Sequence, residues 1–413
     1  MPNTRRRPWR DLVAARMVGP MNAEVAMIKT AAETALAHAY SQARTRLPGD
    51  DVIAAQREAA FALFAREGLP HRRVEEWKYT DLRALMRDAK PLASPPDAAA
   101  KARARTAGAT LGDVETRRLV FVDGAFVPEI SDIGALEPGL AVSSLAAALT
   151  DGDPALAAHL GRLAPSSDVA VALNTALMGD GAVIRIGAGS TIERPLHLLF
   201  VASEKPAASF VRSLVVVERG ARAMLIESHE GPPGSDYQVN AVLELFVGDE
   251  AHVDHVKMVA EGADALHVST LAAAIGARAR FNAFTYTSGG AVVRNQLFLN
   301  FDGEDTVAGI RGATLIKGRQ HADTTLVANH IATGCQSREV FKAVLDDEAH
   351  GVFQGRIIVR PHAQKTDAKM MTQALLLSER AEADNKPELE IFADDVQCGH
   401  GATAGALDEE LKF

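Results

Sequence analysis

The sequence has 413 residues, 47% of them hydrophobic, and carries a formal net charge of −9. That length supports a large buried core in two or three domains without disulfide help, while the acidic balance argues against a dedicated nucleic-acid binder, which needs a phosphate-neutralising basic surface. The two cysteines, Cys335 and Cys398, lie in no C-x-x-C pair, which argues against a disulfide framework or a self-contained zinc site and points to a cytoplasmic protein. No window approaches about 18 uninterrupted apolar residues, so no membrane-spanning helix is expected.

Residues 1–22 carry Arg5, Arg6, Arg7, Arg10 and Arg16 with no apolar stretch after them. They are read as a disordered extension, with an organelle-targeting peptide as the lesser reading and Met21 or Met27 as later starts. An N-terminal helical domain and linker are expected over 23–113. From Ala23 to Arg44, Ile28, Ala32, Leu36 and Ala39 keep helical spacing, and Ile53, Ala60, Phe61 and Phe64 do the same beyond the break at Leu47-Pro48-Gly49-Asp50. Glu76-Trp77-Lys78-Tyr79-Thr80-Asp81 reads as a buried anchor for this domain rather than an exposed contact site. Residues 88–113, rich in Ala, Pro, Lys and Arg, read as a flexible linker.

A small mixed α/β segment is expected over 114–181. Leu119–Val122 followed by Asp123-Gly124 is a hairpin signal, and the alanine-rich run Gly139–Arg162 predicts helix. From 182 to 405 the chain becomes a run of short β-branched segments broken by glycine turns. Gly220, Gly248 and Gly276 fall 28 residues apart, each followed at the third position by alanine and at the fifth by a larger apolar residue. A looser copy sits at Gly303, with Thr306 and Ala308, and Asp249-Glu-Ala-His252 is echoed by Asp347-Glu-Ala-His350. Alternation within a fixed period predicts stacked coils rather than a sandwich. The fold class is therefore mainly β, a parallel β-helix core with an N-terminal helical domain.

No G-x-x-x-x-G-K-[ST], G-x-S-x-G or H-E-x-x-H occurs, so a nucleotide cradle, a serine hydrolase and a zincin are all disfavoured. His252 and His255 lie three apart and face opposite ways on a strand. His321, His330, His350 and His362 read singly as satisfied or surface residues. The chemistry-bearing stretch is Asp394-Asp-Val-Gln-Cys398-Gly-His400-Gly-Ala-Thr403. Cys398 and His400, one residue apart, project from one face of an extended strand, with Gly399 and Gly401 read as keeping that face open. A thiolate and an imidazole suit iron or zinc, but two ligands are too few for a closed site, so a site here must be completed by another chain or be transient.

At these residues the sequence resembles the SufB/SufD family, scaffold subunits of the SUF iron–sulfur cluster assembly system, in its SufD-like form. The likeness runs through Gln364-Lys-Thr-Asp-Ala368, Leu375-Leu-Leu-Ser378 and Lys386-Pro-Glu-Leu-Glu-Ile-Phe-Ala-Asp-Asp-Val-Gln-Cys-Gly-His-Gly-Ala-Thr403. It includes Glu76-Trp-Lys-Tyr-Thr80 and covers most of the chain after about Met27. The resemblance implies a right-handed β-helix flanked by helical domains, pairing with a SufB-like paralogue and a SufC-like ATPase. It implies that His400, with Cys398 beside it, serves cluster assembly at the junction with the paralogue. The cargo would be a transient iron–sulfur cluster or iron, none bound stably by this chain alone. Cys335 is a weaker candidate whose expected role is a buried structural thiol. The family continues into ATPase-binding helices, whereas this sequence stops at Phe413. Residues 406–413 are therefore expected to start a truncated helical segment, which puts ATPase docking by this polypeptide in question. Homodimers through the open sheet edge are expected where the paralogue is absent.

The expected function is a non-enzymatic scaffold. Its rivals are a β-helix enzyme acting on acidic polysaccharides through Asp394 and Asp395 or Asp346 and Asp347, and a solenoid that only binds protein. The rival enzyme is weakened because adjacent strand residues face opposite ways.

Overall fold

A computed structural model describes residues 29–406 except 109, 110 and 113, and gives the backbone alone at 154 and 155. The expected extension over 1–22 and the residues after 406 lie outside it. Two long sheets, of ten and nine strands, face each other across a continuous apolar core. Successive strands alternate between the sheets from Ala182–Ile186 to Gln397–Ala406, giving a parallel β-solenoid of about 8 turns. Within strands the alternation is plain: in Arg280–Thr287, Phe281, Ala283, Thr285 and Thr287 are buried and the residues between them are not. Side chains of one parity fill the lumen and the other parity faces out.

The rungs stack in register, with Val217, Val247, Ile275, Phe301, His330 and Val359 at equivalent positions. Those spacings are unequal, so the expected 28-residue period is a local coincidence of a variable rung. Gly248 and Gly276 are structural equivalents, and Thr306 and Ala308 continue their columns. Gly220 is two residues out of step: it corresponds to Glu250, because Val217 pairs with Val247. The two kinds of glycine answer different needs. A Cβ on Gly248, Gly276 or Gly303 would meet the backbone of the previous turn at 2.8, 2.7 and 1.9 Å. Gly220 instead has φ of 68°, and its equivalents Glu250, Arg278 and Asp305 hold the same left-handed conformation at 60°, 54° and 57°. The two Asp-Glu-Ala-His strings occupy opposite corners, one leading into His252–Ala260 of the ten-stranded sheet and the other into His350–Val359 of the nine-stranded one.

The two ends differ. At the start, Arg117–Val122 pairs in parallel with Leu196–Val201 and folds back through the expected hairpin onto Ala125–Phe126, with Asp123 and Gly124 at φ of 50° and 82°. Leu140–Ser144 lies antiparallel on Ala182–Ile186 and closes the other sheet. The alanine-rich run is thus not helical from its start: it opens as this strand and turns helical only over Leu145–Asp151 and Pro154–His159. The far end finishes in two ten-residue edge strands, Glu382–Ile391 and Gln397–Ala406, with no strand beyond either among the described residues.

Helices Ala31–Ala43 and Asp51–Glu67 begin the described chain. The first opens on a capping box between Thr30 and Glu33, and the second on Asp50. Their inner residues Leu36, Tyr40 and Phe64 meet Trp77, Leu173 of helix Val169–Leu177, and Leu266 and Val268 of the nine-stranded sheet. Polar anchors fix this arrangement. Arg57 donates to the carbonyls of Pro48 and Met178 at 2.9 and 2.8 Å, and Arg212 pairs with Glu244 at 2.8 Å, both fully buried. Trp77 is buried as expected, donates to Asp168 at 3.1 Å, and carries the Arg294 guanidinium 3.9 Å above its ring. Arg294 in turn pairs with buried Asp323. The stretch expected as a flexible linker is packed. Asp97 caps helix Ala98–Ala104, whose small Ala100 and Ala104 sink against Val120, Val122 and Leu199. Alanine-rich composition resembles a linker, yet it also lets a helix approach a sheet closely.

Candidate functional site

The last strand places the predicted pair. Cys398 pairs with Ala368 and His400 with Met370, and Ala368 and Met370 are both lumen residues, fully buried. Cys398 and His400 therefore share the lumen-facing parity, at the end of the solenoid where no further turn covers them among the described residues. Cys398 is half-buried against the core and His400 is exposed. The glycines do something other than expected. Gly399 and Gly401 have the outward parity, opposite Lys369 and Met371, so they clear the outer face of the strand and not the face bearing the pair. A Cβ on Gly399 would meet nothing, while one on Gly401 would strike the Met371 side chain.

Burial pushes the Cys398 thiol above its ordinary pKa, and the carboxylates of Asp367 and Glu339 add to the effect against a backbone hydrogen bond from Ala368. The resting group is a thiol, so binding a metal must displace its proton. Beneath the pair lies an acid the sequence reading missed. Glu339 occupies the column that continues through Met370 to His400, and Ser337 the column that leads through Ala368 to Cys398. Glu339 is fully buried, and burial raises its pKa to about 7 against a weaker opposing effect of the Ser337 hydroxyl. Its neighbour in the lumen, His330, bonds Ser337 at 3.0 Å, stacks on Phe301 and is pushed down by burial to about 4. The signal was available: in Gln336–Leu345, Ser337, Glu339 and Phe341 share one parity, and a strand count would have placed the glutamate inside.

Cys335 is not brought to the pair. It is fully buried in a corner column between Thr306 and Thr366, its thiol donating to the Gly303 carbonyl at 3.2 Å. Two turns of about 4.8 Å each separate its column position from Val396, too far for a shared ion. Among the scattered histidines, His321 is buried against Thr80, His350 pairs with Asp384 at 2.8 Å, and His362 is exposed. His252 and His255 face opposite ways, the first at the surface and the second buried. The aspartates of the rival enzyme serve the corners: Asp395 pairs with Lys365, and Asp347 accepts from the Gly318 amide at 3.1 Å. No helix among the described residues is long and apolar enough to cross a membrane.

The chain is similar in sequence to known proteins. Residues 30–198 match the SufBD protein N-terminal region, and residues 200–413 match the SUF system FeS cluster assembly, SufBD core domain. An iron–sulfur cluster assembly SufBD family protein of Synechocystis is 33% identical over 88% of this chain and 82% of its own length. The iron–sulfur cluster assembly protein SufD of Escherichia coli K12 is 31% identical over 84% of this chain and 79% of its own. A chloroplastic protein of Arabidopsis thaliana, ABCI7, is 27% identical over 60% of this chain and 54% of its own. This chain belongs to the SufBD family of the SUF iron–sulfur cluster assembly system.

Proposed function

We propose that this protein is a non-catalytic scaffold subunit that pairs with a SufB-like paralogue through its open end and, with that partner, holds iron or a nascent iron–sulfur cluster at Cys398 and His400. One observation carries the reading: among the described residues, the last turn of the solenoid is uncovered and presents a thiol and an imidazole on the lumen-facing parity of an edge strand. Two protein ligands cannot close an iron–sulfur site, whose clusters normally take four. An edge of ten unpaired residues is a template for another chain. Beside it, Ile391 and Phe392 stand 42% and 57% exposed, apolar surface that a partner would cover. Iron and sulfide are cargo here, delivered and removed by others, and a SufC-like ATPase supplies the motion.

Anaerobic reconstitution tests the reading. The chain is mixed with its SufB-like and SufC-like partners, and iron and acid-labile sulfide are counted for wild type and for Cys398→Ala with His400→Ala. Cluster should form in the complex, not on this chain alone, and should fall severalfold in the double variant. Equal cluster content in both complexes would leave this subunit as architecture, with the chemistry in its partner.

A further inference from the structure

The first turns of the solenoid enclose a polar cluster that the open-end site does not use. Glu227, His229, His255, Lys257, Glu261 and His267 are all buried inside an otherwise apolar lumen. The charges divide unevenly. Glu227 lies 3.4 Å from the Lys257 ammonium and accepts from His229 Nε2 at 2.6 Å. Glu261 has no Lys or Arg partner: its one ion-pair contact is His267 Nδ1 at 2.9 Å, and the Tyr237 hydroxyl donates to its other oxygen. Lys257 acts on Glu261 only from beyond ion-pair distance, so one ammonium serves two buried carboxylates and the cluster is short of one cation.

The geometry says what fits there. Donor atoms of His229, Glu261 and His267 lie within 4.8 Å of one another. Nδ1 of His229 and Nε2 of His267 have no hydrogen-bond partner among the described residues, although the two residues are 1% and 0% exposed. Their rings meet edge-on with centroids 4.6 Å apart, and Phe200 stacks on the far face of His229, which limits how that ring can turn. Tyr237 is fixed as a donor to Glu261 because its oxygen already accepts from the Gly262 amide at 2.9 Å, an outer contact of the sort that orients a ligating carboxylate. A cavity of about 20 Å³ borders His229, Tyr237 and Glu261. That is room for one ion or one water and nothing larger.

We propose that His229, Glu261 and His267 form an interior site for a single first-row divalent cation, zinc(II) or iron(II), enclosed by the early turns of the solenoid. Two imidazoles and one carboxylate are a donor set these ions favour over magnesium or calcium. Bonds of about 2.0–2.1 Å place tetrahedral donors about 3.4 Å apart, so small side-chain rotations close the present spread. The fourth position falls to a water in the adjoining cavity. The cation supplies the second positive charge for the two buried carboxylates Glu227 and Glu261 and ties the strands Arg222–Glu230 and Leu266–Ile275 together across the lumen. It is independent of the open-end pair, and either assignment can fail without the other.

The test uses the whole chain carrying Cys398→Ala and His400→Ala, so that the open end cannot contribute ligands. After chelation and dialysis, cobalt(II) and then zinc(II) are titrated in, with bound metal counted and the cobalt ligand-field spectrum recorded. The expected result is one equivalent, with X-ray absorption showing only nitrogen and oxygen neighbours and an imidazole signature. Glu261→Gln and His229→Gln, close in shape to the native residues, should weaken binding at least tenfold and abolish the metal-dependent rise in Tm. No bound equivalent in the parent would overturn the assignment, as would unchanged affinity in both Gln variants. Should the Gln variants not fold, the absorption spectrum of the parent decides: absence of imidazole neighbours overturns it.

Discussion

Single buried groups set how this protein answers to pH. Glu339 titrates at about 7 in the fold against 4.5 for the free side chain, so between those values the native state keeps a proton that the unfolded chain gives up. Stability from this group is complete below pH 4.5 and is lost as pH rises through 7. At 1.36 kcal/mol per unit, the loss is about 3 kcal/mol. Replacing Glu339 by Gln should remove that fall, so that the variant gains about 3 kcal/mol on wild type between pH 4 and pH 8 in urea unfolding. Parallel profiles for the two proteins would show that Glu339 is not held protonated. The histidines act in the other direction. His197, His321 and His330 are each pushed by burial from 6.5 to about 4. Their contribution is present above pH 6.5 and disappears as pH falls toward 4, because the unfolded chain takes up protons first. His330→Phe, which retains a ring against Phe301, should flatten the acid limb of the stability profile by about 3 kcal/mol.

At the scale of elements, corners and clamps decide whether rungs stack. Gly276 and Gly220 look alike in the sequence, but a methyl group at Gly276 would meet the Asp249 amide nitrogen at 2.7 Å, whereas at Gly220 it would make only an ordinary contact with Gly189 at 4.0 Å, leaving the positive φ of 68° to object. Gly276→Ala should therefore cost up to about 3 kcal/mol through displaced backbone, and Gly220→Ala about 1 kcal/mol, as read from denaturant midpoints. Equal costs would mean that the corner geometry has been misjudged. The clamp between the helical layer and the solenoid is Arg294, held between Trp77 and Asp323. Arg294→Ala leaves Asp323 buried without its cation, and the expected loss is about 3–5 kcal/mol. Protease should then cleave first between the helices and the sheet. The stacked strands were legible from the alternation of apolar residues, but neither the length of each rung nor its register was. A rung can gain or lose a residue at a corner without disturbing the strands, so glycines line up in sequence that do not line up in space.

Across the whole molecule the two ends are built differently. One end is closed by Ala125–Phe126 and Leu140–Ser144, both antiparallel, and the other presents two full-length parallel edges. Phe392→Asp places a charge on exposed apolar surface beside those edges. It should leave the midpoint of unfolding within about 0.5 kcal/mol of wild type while weakening association with a SufB-like partner at least tenfold in sedimentation or calorimetry. Unchanged affinity would move the interface elsewhere.

The sequence alone determined the coil architecture, the buried Trp77 anchor, and that Cys398 and His400 share a face, because each follows from a period or a parity that survives without knowledge of distant contacts. It also led to the family, through a run of residues at the last strand. Only the tertiary structure decided that the alanine-rich run over 98–104 packs as a helix, that Leu140–Ser144 is a capping strand, and that Gly399 and Gly401 clear the outer face. It alone brought Glu339 beneath the open-end pair and gathered His229, Glu261 and His267 into one donor set. Residues on different turns become neighbours through stacking register, and register depends on corner lengths that no local pattern reports.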